Sequence, residues 1–106
     1  MGKDIKQLTE DMNNFVTAKG WYMTNSKRPQ TPRNIAISLV LEASEVLEHF
    51  QWRENDYEKE KLEGEVADVA LYLFQLCQLC DINLEVAVHK KVKQNYERQW
   101  DQNTVK

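Results

Sequence analysis

The feature that most constrains this chain is the run from Val69 to Cys80, VALYLFQLCQLC, in which only Gln75 and Gln78 are polar. Read as a helix, it points apolar side chains in nearly every direction and needs cover on all sides. A chain of 106 residues buries only about 65% of the surface that its unfolded form exposes. That leaves little material to enclose a central helix, and homo-oligomerisation supplies the missing cover. The wholly apolar stretches are a few residues long, far below the ~20 needed to cross a bilayer, so no membrane partner is expected.

The rest of the chain reads as helical too. Three Gly and two Pro, with 42% hydrophobic and 29% charged residues, exclude a turn-rich β-sandwich, a collagen-like chain and a Gly/Ser-rich disordered chain. One compact all-α domain over residues 1–106 is predicted. Its first helix spans Asp4 to Lys19, where Ile5, Leu8, Met12, Phe15 and Val16 recur every three or four residues and Gly20 stops the period. GWYMTNSKRPQ, Gly20 to Gln30, reads as a loop. Thr31 and Pro32 open a second helix, apolar from Ile35 to Phe50. After a polar connection from Arg53 to Tyr57, with Asn55 and Asp56 as candidate caps, a third helix reaches Cys80. Asp81 to Asn83 break it, and Asn83 caps a fourth helix from Leu84 to about Trp100, followed by a fraying tail.

Carboxylates interrupt two of these apolar series. LVLEASEVLEHFQW spaces Glu42, Glu45 and Glu48 at i, i+3, and GEVADVALYL spaces Glu65 and Asp68 likewise. Residues three apart share a helix face. Two pairs converging from antiparallel helices place four negative charges together, which requires a cation or shifted pKa values. An all-oxygen donor set suits a hard divalent ion, Mg²⁺ or Mn²⁺, rather than zinc. Such an ion activates water against a phosphoanhydride. Glu42, Glu45 and Asp68 sit among Leu, Val and Ala, where a merely solvated face would carry Lys or Gln. In EKEKLEGE, by contrast, Glu58, Lys59, Glu60, Lys61 and Glu63 read as solvent-exposed.

Complementary groups follow. Lys91, Asn95 and Arg98 form one stripe at i, i+4, i+7, suited to a polyphosphate, although cations near a helix C-terminus are also favoured without a ligand. Trp21, Trp52 and Tyr72 could stack a base, or could serve as core or interface residues. A net charge of −3 without a basic block argues against a nucleic-acid polymer as partner.

Taken together, WYMTNSKRPQTPRNIAISLVLEASEVLEHFQW and EVADVALYLFQLCQLCDINLEVAVHKKVKQNYERQW resemble the all-α nucleoside triphosphate pyrophosphohydrolases, the MazG-like superfamily, in its compact dCTP pyrophosphatase branch. The resemblance rests on ExxE and ExxD on consecutive helices, then K-x-x-x-N-x-x-R, with PRN before and FQW after the first pair, from about Phe15 to Arg98. It implies a four-helix-bundle-like fold assembled as a dimer or a dimer of dimers. It also implies Mg²⁺ on Glu42, Glu45, Glu65 and Asp68, phosphates or sugar on Lys91 and Asn95, and a base pocket lined by Trp21, Trp52 and Tyr72. Many members begin the first motif with a doubled acid, where this chain has Leu41.

Other features point elsewhere less well. Cys77 and Cys80 lack a second CxxC and read as packing residues of a reducing compartment. The N-terminal MGKDIKQLTEDMNNF has no apolar signal core, so the cytoplasm is expected. His49 and His89 lie four residues after a Glu, not in the Glu-x-x-His spacing of ferritin-like di-metal bundles. The expected function is Mg²⁺-dependent hydrolysis of a nucleoside triphosphate, with Glu48 a candidate to orient the water. The alternatives are a helical interaction module and a nucleotide sensor that releases its ligand uncut.

Overall fold

A computed structural model of the chain describes residues 2–98. Four helices follow in order, α1 (Ile5–Ala18), α2 (Pro32–Glu48), α3 (Lys59–Leu79) and α4 (Leu84–Glu97), with no strand among the described residues. The all-α expectation is met. The predicted continuation of the fourth helix to Trp100, and the tail beyond, lie outside the described residues.

Local chemistry sets most boundaries. Asp4 accepts from the Gln7 N–H at 2.8 Å while its own N–H donates to Gln7 Oε1 at 2.9 Å, a reciprocal cap on α1. At the other end Gly20 adopts φ +73°. Its N–H donates to the Thr17 carbonyl at 2.9 Å and that of Trp21 to Val16 at 3.2 Å, closing the last turn. Only a residue tolerant of the left-handed region turns the chain there, and the turn sets the start of the loop that carries Trp21. Thr31 Oγ1 accepts from the Asn34 N–H at 3.1 Å, with Pro32 in the first turn of α2. Asn83 caps α4 in the same way, accepting from Val86.

Two boundaries differ from expectation. α2 ends at Glu48 rather than Phe50, because the chain leaves in tight turns and the Phe50 ring packs on Tyr57 with centroids 5.0 Å apart. α3 is entered from Glu58, with no side-chain cap, rather than from Asn55 or Asp56. It stops at Cys80 because Asp81 takes a left-handed turn, φ +55°, and the Ile82 N–H donates back to the Cys77 carbonyl at 2.8 Å.

Packing departs further from a closed four-helix bundle. α2 lies along α3, and α1 packs on α3. α4 leaves α3 at a bend of 101° and buries no residue among those described. The core is small: Met12 and Val16 of α1, Ile35 of α2, and Gln75 and Cys77 of α3. α3 is therefore not covered on all sides by the described residues, since α1 and α2 are the helices that pack closely along it. Large apolar side chains stay exposed, including Val40, Leu41 and Leu47 of α2 and Val86, Val88 and Val92 of α4. The accessible surface is 8921 Å², against about 6,200 Å² for a compact monomer of this mass. Among the described residues no single helix is long and apolar enough to cross a membrane.

Candidate active site

The pairing of α2 with α3 assembles the acidic residues. Oxygen atoms of Glu42, Glu45 and Glu65 lie within 4.8 Å of one another. Asp68 stands outside this triad. It shares a cavity wall with Glu42, and its charge is felt by both Glu42 and Glu65. Glu42 thus neighbours Asp68 as Glu45 neighbours Glu65, the register of two antiparallel helices with i, i+3 acids on their facing sides.

The crowding shifts the carboxyls. The Glu42 carboxyl is pushed up to about 7, first by its hydrogen bond with Glu45, then by burial and by the charges of Glu45 and Asp68. Glu65 is also raised, by burial first and then by hydrogen bonding and charge from Glu45. Carboxyls this close share protons when nothing else neutralises them. Glu42 Oε2 is sealed from solvent with no hydrogen-bond partner. Once ionised, an oxygen left unpaired among other carboxylates fits a hard cation.

One end of the acidic cluster opens into a cavity of about 640 Å³ between α1, the 20–31 loop, α2 and α3. Its walls are aromatic and apolar, with Phe15, Trp21 and Tyr72 among them, and Glu42 and Asp68 at one side. Phe15 and Trp21 meet edge to face at 5.6 Å, and the Arg28 guanidinium lies over the Trp21 ring at 5.5 Å. Lys27 and Arg28 add two cations to the same lining. A flat apolar slot with carboxylates and cations at hand can take a ring together with an anionic, cation-bound tail.

The residues singled out in the sequence divide between this cavity and other places. Glu42, Asp68, Trp21 and Tyr72 line it. Glu45 and Glu65 line a second, more open depression with Glu48, His49 and Trp52. Trp52 is not brought to Trp21 and Tyr72: it stands 93% exposed at a left-handed backbone position, φ +69°. Lys91 and Asn95 do not line the cavity, because the bend before α4 carries them away from it within one chain. Phe15, Lys27, Arg28, Asn34, Ser38 and Gln75 also line the cavity, although none of them stood out in the sequence as a site residue. A signal existed for two of them. Asn34 belongs to the PRN string, and Ser38 lies one turn before Glu42 on the same face.

No family model matches the chain. It is 30% identical to dCTP pyrophosphatase 1 of Mus musculus in an alignment 105 residues long that covers 91% of this chain and 57% of that protein. The Homo sapiens protein of that name matches at the same identity and coverage. The chain thus spans little more than half the length of these curated relatives. Among solved structures, the crystal structure of a pyrophosphatase from Archaeoglobus fulgidus matches with a TM-score of 0.77 and 30% identity, over 93% of this chain and 94% of that one. With the acid pairs facing each other across α2 and α3, and this identity sustained over nearly the full length of a chain of the same fold, the protein belongs to the MazG-like nucleoside triphosphate pyrophosphohydrolase family.

Proposed function

We propose that the protein hydrolyses nucleoside triphosphates, deoxynucleotides of the dCTP type first among them, to the monophosphate and pyrophosphate, in cytoplasmic housecleaning of the nucleotide pool. The observation that carries this reading is the convergence of Glu42, Glu45 and Glu65 beside an aromatic cavity of nucleotide size. The names of the relatives support it.

Glu42, Glu45, Glu65 and Asp68 would hold Mg²⁺, or Mn²⁺ in its place, and the four carboxylates account for more than the whole net charge of −3. A divalent ion supplies charge neutralisation at phosphate oxygens and a lower pKa for water. Phe15, Trp21 and Tyr72 grip the base, which leaves the phosphates toward Glu42 and Asp68. Lys27 and Arg28 offset phosphate charge from the loop side. Water oxygen bonds to the α-phosphorus as the bond to the bridging oxygen breaks. Pyrophosphate departs, and the water proton passes to a carboxylate of the cluster; Glu48, which shares a depression with Glu45 and Glu65, is the candidate to orient that water.

A homo-oligomer, dimer or dimer of dimers, belongs to the same proposal. The exposed apolar faces of α2 and α4 offer a second copy surface to bury. Lys91 and Asn95 reach phosphates only if assembly returns α4 to a cavity. A panel of ribo- and deoxynucleoside triphosphates with Mg²⁺ and a pyrophosphate readout tests the chemistry. Binding without release would leave a sensor, and neither would leave an interaction module. Light scattering coupled to size exclusion tests the assembly.

A further inference from the structure

At the floor of the cavity lies a polar group that the mechanism above does not use. Gln75, within the apolar run Val69 to Cys80, is 2% exposed, yet it lines the cavity. An amide there costs free energy unless its hydrogen bonds are made, and tracing those bonds fixes which way it points. The Arg28 backbone carbonyl can only accept, so the Gln30 group facing it at 2.6 Å is Nε2. Gln30 Oε1 is then turned to Gln75, whose Nε2 donates to it at 2.6 Å. The second Nε2 hydrogen of Gln75 reaches the Tyr22 hydroxyl at 3.4 Å, and that hydroxyl donates onward to Asn13 Oδ1 at 2.7 Å. Both donor hydrogens of Gln75 are thereby used. Its Oε1 has no hydrogen-bond partner among the described residues and is not among the oxygens sealed from solvent.

We infer that Gln75 determines base selectivity, its Oε1 accepting an N–H from the exocyclic amino group of a nucleobase held in the aromatic cavity. This rests on the nucleotide reading above and adds to it the atom that recognises the base. An amino-bearing base satisfies this open acceptor. A base with a carbonyl at that place sets oxygen against oxygen, and Gln75 has no proton left to offer it. The orientation is imposed from the loop: Gln30, anchored to its own backbone neighbourhood, prevents the Gln75 amide from turning over. Gln30 is thus a positioning residue and Gln75 the recognising one.

The cytosine and uracil nucleotides differ at ring position 4 by amino against carbonyl, and they supply the test. Binding of dCMP and dUMP is measured by calorimetry, and the ratio of kcat/KM for dCTP over dUTP by pyrophosphate release. These are compared in the unmodified protein, Gln75→Leu and Gln30→Met. The unmodified protein should favour the amino base by about tenfold or more, the size of one buried hydrogen bond left unmade. Gln75→Leu should bring the preference to within about twofold of unity. Gln30→Met should lower it while Gln75 remains, because the amide is then free to turn. An unchanged preference in a Gln75→Leu protein with a native helical circular dichroism spectrum overturns the inference. Should that variant fail to fold, an unchanged preference in Gln30→Met overturns it instead. The two monophosphate affinities separate this idea from the hydrolase reading. Selective dCMP binding without triphosphate cleavage sinks the hydrolase and keeps the recognition. Cleavage with equal dCMP and dUMP affinity does the reverse, and failure to bind either monophosphate overturns the recognition.

Discussion

α3 and α4 begin from similar local instructions and end in different circumstances. Both are regular helices of mixed apolar and charged residues, and α4 has the better cap, since Asn83 accepts from Val86 while Glu58 makes no side-chain bond at the start of α3. Yet α3 meets α1 and α2, buries Gln75 and Cys77, and carries two of the acidic residues. α4 turns away by 101° and buries nothing among the described residues. Capping decides that a helix forms. The facing surface decides whether its side chains become a site.

That contrast can be broken most forcefully at the acids. Glu45→Gln should lower pyrophosphate release by at least about a hundredfold with an unchanged helical circular dichroism spectrum. A variant with near-normal turnover would mean that the α2–α3 cluster is not where the chemistry occurs. Next in size is the packing beneath it. Ile35→Ala, at one of the few buried positions, should cost about 2–4 kcal/mol in urea unfolding.

Protonation gives a smaller and signed effect. Glu42 sits at about 7 in the folded chain against an ordinary 4.5. Its folded pKa is raised, so its contribution to stability is fully present below about 4.5 and is lost as pH rises through about 7. The metal-free protein should therefore show a melting temperature that falls across that window. Mg²⁺ should reverse the trend, stabilising more as pH rises, because the ligands must be deprotonated to bind it. Equal stabilisation by Mg²⁺ at pH 5 and pH 8 would separate the ion from these carboxyls. The smallest effect belongs to α4. Val88→Ala should change the stability of the monomer by no more than about 0.5 kcal/mol. A larger loss, growing with protein concentration, would mean that a second copy covers this face.

Much of this molecule is legible along the chain because much of it is local. Asp4, Gly20, Thr31, Pro32 and Asn83 act on their immediate neighbours, and each marks a boundary where the structure has one. The i, i+3 acids needed only helical geometry to share a face. The misplaced start of α3 shows the limit: Asn55 and Asp56 are good capping residues, but the ring contact between Phe50 and Tyr57 helps set the path of that turn. Phe15 looked like any apolar residue of a helix stripe until α1 was laid beside the loop and its ring met Trp21. Gln75 was visible as a polar residue in an apolar run, without a role, because its partners lie 45 and 53 positions away.

By itself, then, the sequence determined four helices, most of their boundaries, two acidic pairs with the right spacing, and an apolar α3 with more surface than one short chain can cover. These follow from hydrogen bonds and periodicities that span a few residues. Only the tertiary structure decided that Glu42, Glu45 and Glu65 meet while Asp68 stands one turn on, that the cavity forms against Phe15 and Arg28 rather than Trp52, and that α4 stands apart. Those outcomes depend on which surfaces pack and at what angle, and packing joins residues that no local rule relates.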